Sequence, residues 1–330
     1  MNYFEGKNIV IGVTGGIAAY KSCELVRSLI KLRSDVQVVM TKNASRFITP
    51  LTLQTLSGKK VATDMFDEDW ESEIGHISLA DRADLVVIAP ATASIIGKLA
   101  WGISDSLLTT LILATKAPVL VCPAMNVNMY ENPAVKENSE KLKSRGIYLM
   151  EPGTGDLACG WEGKGRLPEI DDIVDEIGRI LSPNDLNGER VLVTAGATRE
   201  FIDPVRFISN PSSGKMGYSI AKVGWQRGAE VSLISGKSDQ PVPYGVDYKE
   251  VQSVDEMYEA VMDKIDWPTI IVKSAAVGDY MVERVSDNKL KKSSEEKLLK
   301  LIPTIDILNE VGKIKNGKIV VGFAAETEDI

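Results

Sequence analysis

The sequence predicts an α/β protein of two doubly wound, Rossmann-like domains with mainly parallel sheets. Three observations predict it. Short β-branched runs alternate with segments of helical period, the pattern of parallel βαβ units. That alternation starts twice, and each start is a strand running into a glycine turn and then a helix, at Gly15-Gly16 and again at Gly196. Between the two halves, residues 182–189 are polar and rich in turn formers. At about 150 residues per domain, a chain of 330 makes two. The expected division is 1–181, a linker at 182–189, and 190–330.

In the first half the pattern gives a strand at 8–13, a helix at 17–32 with Leu25, Val26, Leu29 and Leu32 on one face, and a strand at 36–40. An amphipathic helix fits 77–82. Buried strands follow at 84–89 and 119–122, each expected to stop at a proline, Pro90 or Pro123. Helices fit 106–116, 133–145 and 171–181, with a glycine-dense stretch at 153–165. The second half reads as strand 190–194, helix 215–227, strand 230–234, helix 254–265, strand 269–273, a basic run at 289–292, helix 305–312 and strand 318–323. A doubly wound domain normally continues beyond such a strand, so the second domain is expected to be truncated.

Composition excludes several classes. With 44% apolar residues, neither half needs disulfides or a structural metal to fold. Lys and Arg number 38 against 46 Asp and Glu, a net charge of −8, so no basic field exists to hold a nucleic acid. Apolar runs fall far short of the ~18 residues that span a bilayer. The first residues lack a basic region followed by an apolar stretch, so no signal peptide is expected and the reading is cytoplasmic, with no membrane partner. Cys23, Cys122 and Cys159 are scattered and odd in number, and His76 is the one histidine, so neither a disulfide framework nor a zinc cluster is expected.

Chemistry-bearing segments come next. In the turn from Gly12 to Lys21, small residues sit where a strand enters a helix, a place where backbone N–H groups hold phosphate. It lacks the G-x-G-x-x-G dinucleotide frame, although Asp35 sits near where a ribose-binding acid would. A mononucleotide such as FMN therefore fits better than NAD, with tight packing as the bland alternative. His76 is the sole candidate for imidazole chemistry, against an ordinary surface or core histidine. Asn126 follows a buried strand, placed either to hydrogen-bond a carboxylate or amide or to cap the next helix as an Asx-turn. The stretch 153–165 reads as a mobile lid, on which Cys159 is a proton donor, a nucleophile or an incidental thiol. In the second half, Arg206, Asn210, Ser212, Ser213, Gly214 and Lys215 follow the Gly196 turn. Ser-Ser-Gly-Lys looks like a phosphate cradle without the Walker A frame, which disfavours ordinary ATPase chemistry. The run from Lys289 to Lys292 suits a triphosphate, or a solvated face.

Taken in order over the whole chain, these segments resemble the bifunctional family of coenzyme A biosynthesis, in which phosphopantothenoylcysteine decarboxylase is fused to phosphopantothenate–cysteine ligase. In the first half the resemblance implies FMN contacts at Gly15, Gly16, Ile17, Thr41, Pro90, Ala91, Thr92, Ser94 and Ser106. It implies a catalytic His76, a grip on the substrate carboxylate by Asn126 and Met129, and a substrate clamp containing Gly155 and a proton-donating Cys159. In the second half it implies substrate binding by Arg206 and catalytic roles for Asn210 and Lys289. CTP contacts are implied at Gly196, Ser212, Ser213, Gly214, Lys215, Ala275, Ala276, Asp279, Lys289, Pro303, Asp306 and Phe323, with Asp279 meeting a Mg2+ that accompanies CTP. Departures are Tyr130 for a usual Trp, Trp101 and Ser106 where His and Asn are frequent, and Gly278 for Ala.

The chemistry implied by the resemblance is a CTP-dependent ligation followed by a decarboxylation. The carboxylate of 4′-phosphopantothenate is activated by CTP as an acyl-cytidylate, and cysteine displaces it to give 4′-phosphopantothenoylcysteine. Flavin-dependent oxidation of the cysteine part to a thioaldehyde then lets CO2 leave, and reduction with a proton from Cys159 yields 4′-phosphopantetheine. The implied assembly is a homo-oligomer, with decarboxylase trimers and ligase dimers building a dodecamer. Rival readings are a flavin prenyltransferase or peptidyl-cysteine decarboxylase, a non-enzymatic regulatory subunit of phosphatases, and an NAD-dependent reductase.

Overall fold

Strands that are apolar on both faces must be covered by helices on both sides, and the first unit of the chain, Met1–Leu181, is built around such a sheet. Its strands are β1 (Asn8–Val13), β2 (Asp35–Met40), β3 (Leu85–Ala91), β4 (Val119–Pro123) and β5 (Tyr148–Leu149), parallel in the order β2-β1-β3-β4-β5. The computed structural model describes residues 2–65, 75–156, 162–292, 294, 296–314 and 316–324. Every residue of β3 and β4 is buried, as a central parallel strand requires. This strand order is the flavodoxin-like one, whose ligand crevice opens between the first and third strands, where the winding reverses.

β3 runs one residue past Pro90, which was expected to end it, whereas β4 ends at Pro123 as expected. Ala91 pairs with Pro123 after an irregularity between Ile88 and Ala91, and a proline at a strand end loses little because only one ladder donor is missing. The predicted helix at 17–32 divides into a 3-10 turn, Ile17–Lys21, and the α-helix Ser22–Lys31. Helices Pro50–Ser57, Ala93–Trp101 and Val127–Glu131 were not expected. The second of these starts where the Thr92 side chain accepts from Ile95 N (3.4 Å) and stops at Gly102 in the left-handed region. At the two ends of the glycine-dense stretch, β6 (Gly153–Asp156) pairs antiparallel with β7 (Glu162–Arg166).

The second unit, Ser182–Ile330, contains β8 (Arg190–Ala195), β9 (Arg199–Phe201), β10 (Phe207–Ser209), β11 (Glu230–Ser235), β12 (Asp247–Glu250), β13 (Ile270–Lys273), β14 (Tyr280–Val282), β15 (Leu301–Pro303) and β16 (Ile319–Gly322). Its main sheet is parallel, β12-β11-β8-β13-β16. Counted within the unit that is the Rossmann order 3-2-1-4-5, with the winding reversing between β8 and β13. Two small hairpins, β9–β10 and β14–β15, lie outside it. Helices Lys215–Gln226, Val254–Asp263 and Ile307–Lys313 complete the alternation. Residues 182–189 are held by the second unit: Ser182 Oγ donates to Gln226 O (2.7 Å), Leu186 N to Arg227 O (3.0 Å), and Arg227 grips both carboxylate oxygens of Asp185. No helix among the described residues is long and apolar enough to cross a membrane.

Candidate functional site

In the first unit, two hydroxyls stitch the β1 turn to the end of β3. Thr14 Oγ1 donates to Pro90 O (2.7 Å) and accepts from Thr92 N (3.2 Å), and Ser22 Oγ donates to Ala89 O (2.7 Å). Gly15 is imposed by packing, since a Cβ there would lie 2.9 Å from the carbonyl carbon of Asn43. Gly16 is different. A Cβ there would meet only Thr92 Cγ2, at 3.7 Å, and no side chain caps the turn it starts.

Beyond the ends of β1, β3 and β4 opens a cavity of about 510 Å³, within the usual range for small-ligand pockets. Among the residues expected in the site, Gly15, Gly16, Ile17, Thr92, Asn126 and Met129 line it. Pro90 and Ala91 are buried in β3, Thr41 closes β2 with its N–H on Val13 O (3.0 Å), and Ser94 is exposed on its helix. Ser106 forms a reciprocal capping box with Thr109. His76 falls in the first turn of the helix Gly75–Arg82, and its side chain is outside what the structure describes. Cys159 lies outside the described residues.

Asn126 serves one of the two roles left open for it and is positioned for the other. Its Oδ1 accepts from Asn128 N (2.9 Å) as an N-cap, while the residue lines the cavity. The β6–β7 hairpin closes this side. Met125 N donates to Gly165 O (2.9 Å), and a Cβ at Gly165 would lie 2.2 Å from Met125 O. Lys21 and Arg166 also line the cavity and were not singled out. The available signal was their place at the ends of the two glycine motifs, where a cation can meet phosphate. Lys21 is also 3.7 Å from Glu169.

The residues present fit a flavin mononucleotide. The walls are largely apolar, with Ile17, Met125, Met129 and Leu167, as a ring system requires. Lys21, Arg166 and the uncapped turn at Gly16 supply the cations and N–H donors a phosphate requires. The location, where the winding of a flavodoxin-like sheet reverses, is the one such sheets use for FMN.

In the second unit the winding reverses between β8 and β13, the place where such sheets open a crevice. Ala276 N donates to Gly196 O (2.8 Å), Gly278 N to Thr198 Oγ1 (2.9 Å), and Asn210 Nδ2 to Val277 O (3.1 Å). These bonds bring the Gly196 turn, Asn210 and the 275–279 segment together. Gly196, at φ 71°, permits the approach: a Cβ there would sit 2.6 Å from Gly236 O. Ser212 and Ser213 accept from Gly214 N (3.3 Å) and Lys215 N (3.4 Å) at the start of the helix Lys215–Gln226. Thr304 bonds the backbone of Gly278 and Asp279, so Pro303 is drawn to the same edge. Asp306 caps the helix Ile307–Lys313, and Phe323 N donates to Lys273 O (3.2 Å). Lys289 is exposed in the span between β14 and β15, and Arg206 bonds Asp203 and Leu290 O.

Lys273, 8% exposed at the end of β13, was missed. Burial pushes its ammonium down to about 8, partly opposed by Asp306. No group of three or more His, Cys, Asp or Glu side chains converges among the described residues. Asp279 is exposed and offers one carboxylate at this edge.

The cavity and the two sheets define the class, a Rossmann-like flavoprotein fold followed by a second parallel α/β unit. Residues 3–182 match the Flavoprotein family and residues 186–330 the DNA/pantothenate metabolism flavoprotein C-terminal domain. The coenzyme A biosynthesis bifunctional protein CoaBC of Bacillus subtilis (strain 168) is 48% identical over 330 residues, covering 99% of this chain and 81% of that protein. Its counterpart in Vibrio cholerae serotype O1 is 47% identical over 333 residues, covering 100% and 84%. Among solved structures, a PPC decarboxylase mutant complexed with pantothenoylaminoethenethiol is 31% identical at a TM-score of 0.47, covering 52% of this chain and 97% of that one. The chain belongs to the family of coenzyme A biosynthesis bifunctional proteins CoaBC. That membership favours a role in coenzyme A biosynthesis over a non-enzymatic regulatory subunit.

Proposed function

We propose that the first unit is an FMN-dependent decarboxylase of 4′-phosphopantothenoylcysteine. We propose too that the second ligates cysteine to 4′-phosphopantothenate with CTP, its product feeding the first. One observation carries the decarboxylase reading: residues from three distant segments, 15–17, 92 and 126–129, line one cavity where the sheet reverses its winding. When bound, FMN supplies the two-electron oxidation of the substrate's cysteine part that makes loss of CO2 possible, and returns the hydride afterwards. Lys21 and Arg166 hold phosphate, Thr92 orients the ligand beside Gly16, and Asn126 hydrogen-bonds the carboxylate that departs. His76 acts as the base or orienting group, and Cys159 donates the proton to the enethiol; both assignments rest on their motifs.

An absorbance spectrum of the purified protein, followed by phosphopantothenoylcysteine in the same cuvette, tests this. A yellow protein that releases CO2 is the expected result. A colourless protein that neither takes up FMN nor turns over sinks it. Cys159→Ser is expected to release CO2 yet form saturated product about 10²–10⁴-fold more slowly, and product at the normal rate removes the donor role. His76→Asn should lose turnover while retaining FMN.

The ligase reading is supported by the docking of Asn210 and the 275–279 segment around the Gly196 turn. Asn210 stabilises the acyl-cytidylate, Lys289 neutralises charge as it forms, and Mg2+ arrives with CTP as part of the substrate. Lys289→Gln is expected to slow pyrophosphate release from CTP about 10²–10³-fold and to leave CO2 release unchanged. An unaltered rate removes that role. We propose a homo-oligomer, trimeric in the first unit and dimeric in the second, up to a dodecamer; the exposed Leu51 and Trp101 suit packing of the first unit against further copies. Sedimentation measures it directly.

A further inference from the structure

The span between β14 and β15 is closed at its base, where Glu283 N donates to Lys300 O (3.0 Å), and most of it is exposed, Leu298 almost completely. Lys289 sits in it, yet the backbone around Lys289 is held from the side. Ser286 N donates to Ile202 O (3.0 Å). At Leu290 both backbone groups are engaged: its N–H donates to Asp203 Oδ2 (3.0 Å) and its carbonyl accepts from Arg206 Nη1 (2.8 Å). Ser286 Oγ also donates to Asn288 O (2.8 Å), shaping the turn just before Lys289.

The holder is itself rigid. Asp203 is completely buried, and its Oδ1 accepts from Val205 N (2.8 Å) and Arg206 N (2.9 Å). Its Oδ2 accepts from Arg206 Nη1 at 2.6 Å besides Leu290 N, and Ile202 N donates to Arg206 O (2.8 Å). Burial by itself would raise this carboxyl, but the N–H groups of Val205, Leu290 and Arg206 and the Arg206 guanidinium hold it down at about 2. It is therefore ionised at every working pH.

We propose that Asp203 and Arg206 form a latch that grips both backbone groups of Leu290, while Ser286 is tied to the neighbouring Ile202 O, and so positions the Lys289 ammonium between them for activation of the nucleotide. This rests on the ligase reading of the second unit. Asp203 is a positioning residue, because it reaches the chemistry only through Leu290. Four donors share its two oxygens, so an asparagine, with one acceptor oxygen and two N–H donors, cannot hold both the turn and the loop. A misplacement of about 1 Å in a charge-neutralising group costs on the order of 10²-fold in rate.

The test uses the full chain with Asp203→Asn and Arg206→Lys, read by hydrogen–deuterium exchange and by steady-state pyrophosphate release from CTP in the presence of phosphopantothenate and cysteine. Exchange at 286–290 is expected to quicken at least about tenfold, with β8 and β13 as protected as before. The kcat for pyrophosphate release should fall about 10- to 100-fold while the KM for cysteine stays the same. Unchanged exchange at 286–290 in a folded variant overturns the latch, and quickened exchange with unchanged kcat overturns the positioning role. If Asp203→Asn also loses protection in β8, Arg206→Lys decides, since a lysine cannot reproduce the guanidinium's fixed geometry across Asp203 Oδ2 and Leu290 O. A wild-type chain that leaves CTP intact overturns the ligase reading and the positioning role with it, and the exchange difference then still decides the latch.

Discussion

Gly165→Ala is expected to lose about 3 kcal/mol of stability in the first unit and to bind FMN at least about tenfold more weakly. Two independent effects add. At φ 153° the backbone of Gly165 lies where a side chain is strained, and its Cβ would sit 2.2 Å from Met125 O. Neither partner can yield cheaply, because Met125 N is bonded to Gly165 O (2.9 Å) and Asn126 next to it caps the following helix. The hairpin must lift, carrying Arg166 and Leu167 out of the cavity wall. Gly16→Ala is the control: its Cβ would meet ordinary contact at 3.7 Å, so stability should change little. Denaturant unfolding and flavin titration of both variants check this, and a Gly165→Ala protein as stable and as yellow as wild type refutes it.

Lys273→Met is expected to stabilise the second unit by about 3 kcal/mol at pH 7. Burial lowers the folded-state pKa of this lysine to about 8, against ~10.4 in the unfolded chain. Between those two values the unfolded chain binds more protons, so wild-type stability gains from this group as pH rises from 8 towards 10.4. The advantage of the variant should therefore be full below pH 8 and shrink above it. Removing the ammonium strands no buried charge, because Asp306, the carboxylate facing it, is exposed and caps a helix. Thermal unfolding of the two proteins across pH 7–10 measures the difference, and a gap that is absent or independent of pH refutes the assignment.

Much of the candidate site was legible because its chemistry lies in short contiguous motifs. Gly15, Gly16, Ile17, Asn126 and Met129 each follow a strand that the apolar pattern marks, and a ligand crevice in a parallel sheet opens beyond strand ends. Lys21 and Arg166 were harder, since a cation at the end of a glycine motif looks like any solvated charge until the two are brought to one cavity. Ser106 shows the reverse case: a hydroxyl in a motif can be engaged by its own helix, here with Thr109. Asp203 was invisible, because nothing local says that an aspartate in a turn will hold a backbone N–H at Leu290, 87 residues away.

The sequence by itself determined the two α/β units, their main strands and most helices, because burial on both sheet faces demands apolar runs and the helices covering them carry a 3.6-residue period. Tertiary structure alone decided the strand orders, β2-β1-β3-β4-β5 and β12-β11-β8-β13-β16, and with them where each crevice opens. It also decided that Gly153–Asp156 pairs with Glu162–Arg166 and that β3 continues past Pro90 to Ala91. The physical reason is the same throughout. Periodicity reports which face of an element is buried, whereas strand order, close glycine contacts and the partners of Asp203 depend on chain segments that meet only when the sheets assemble.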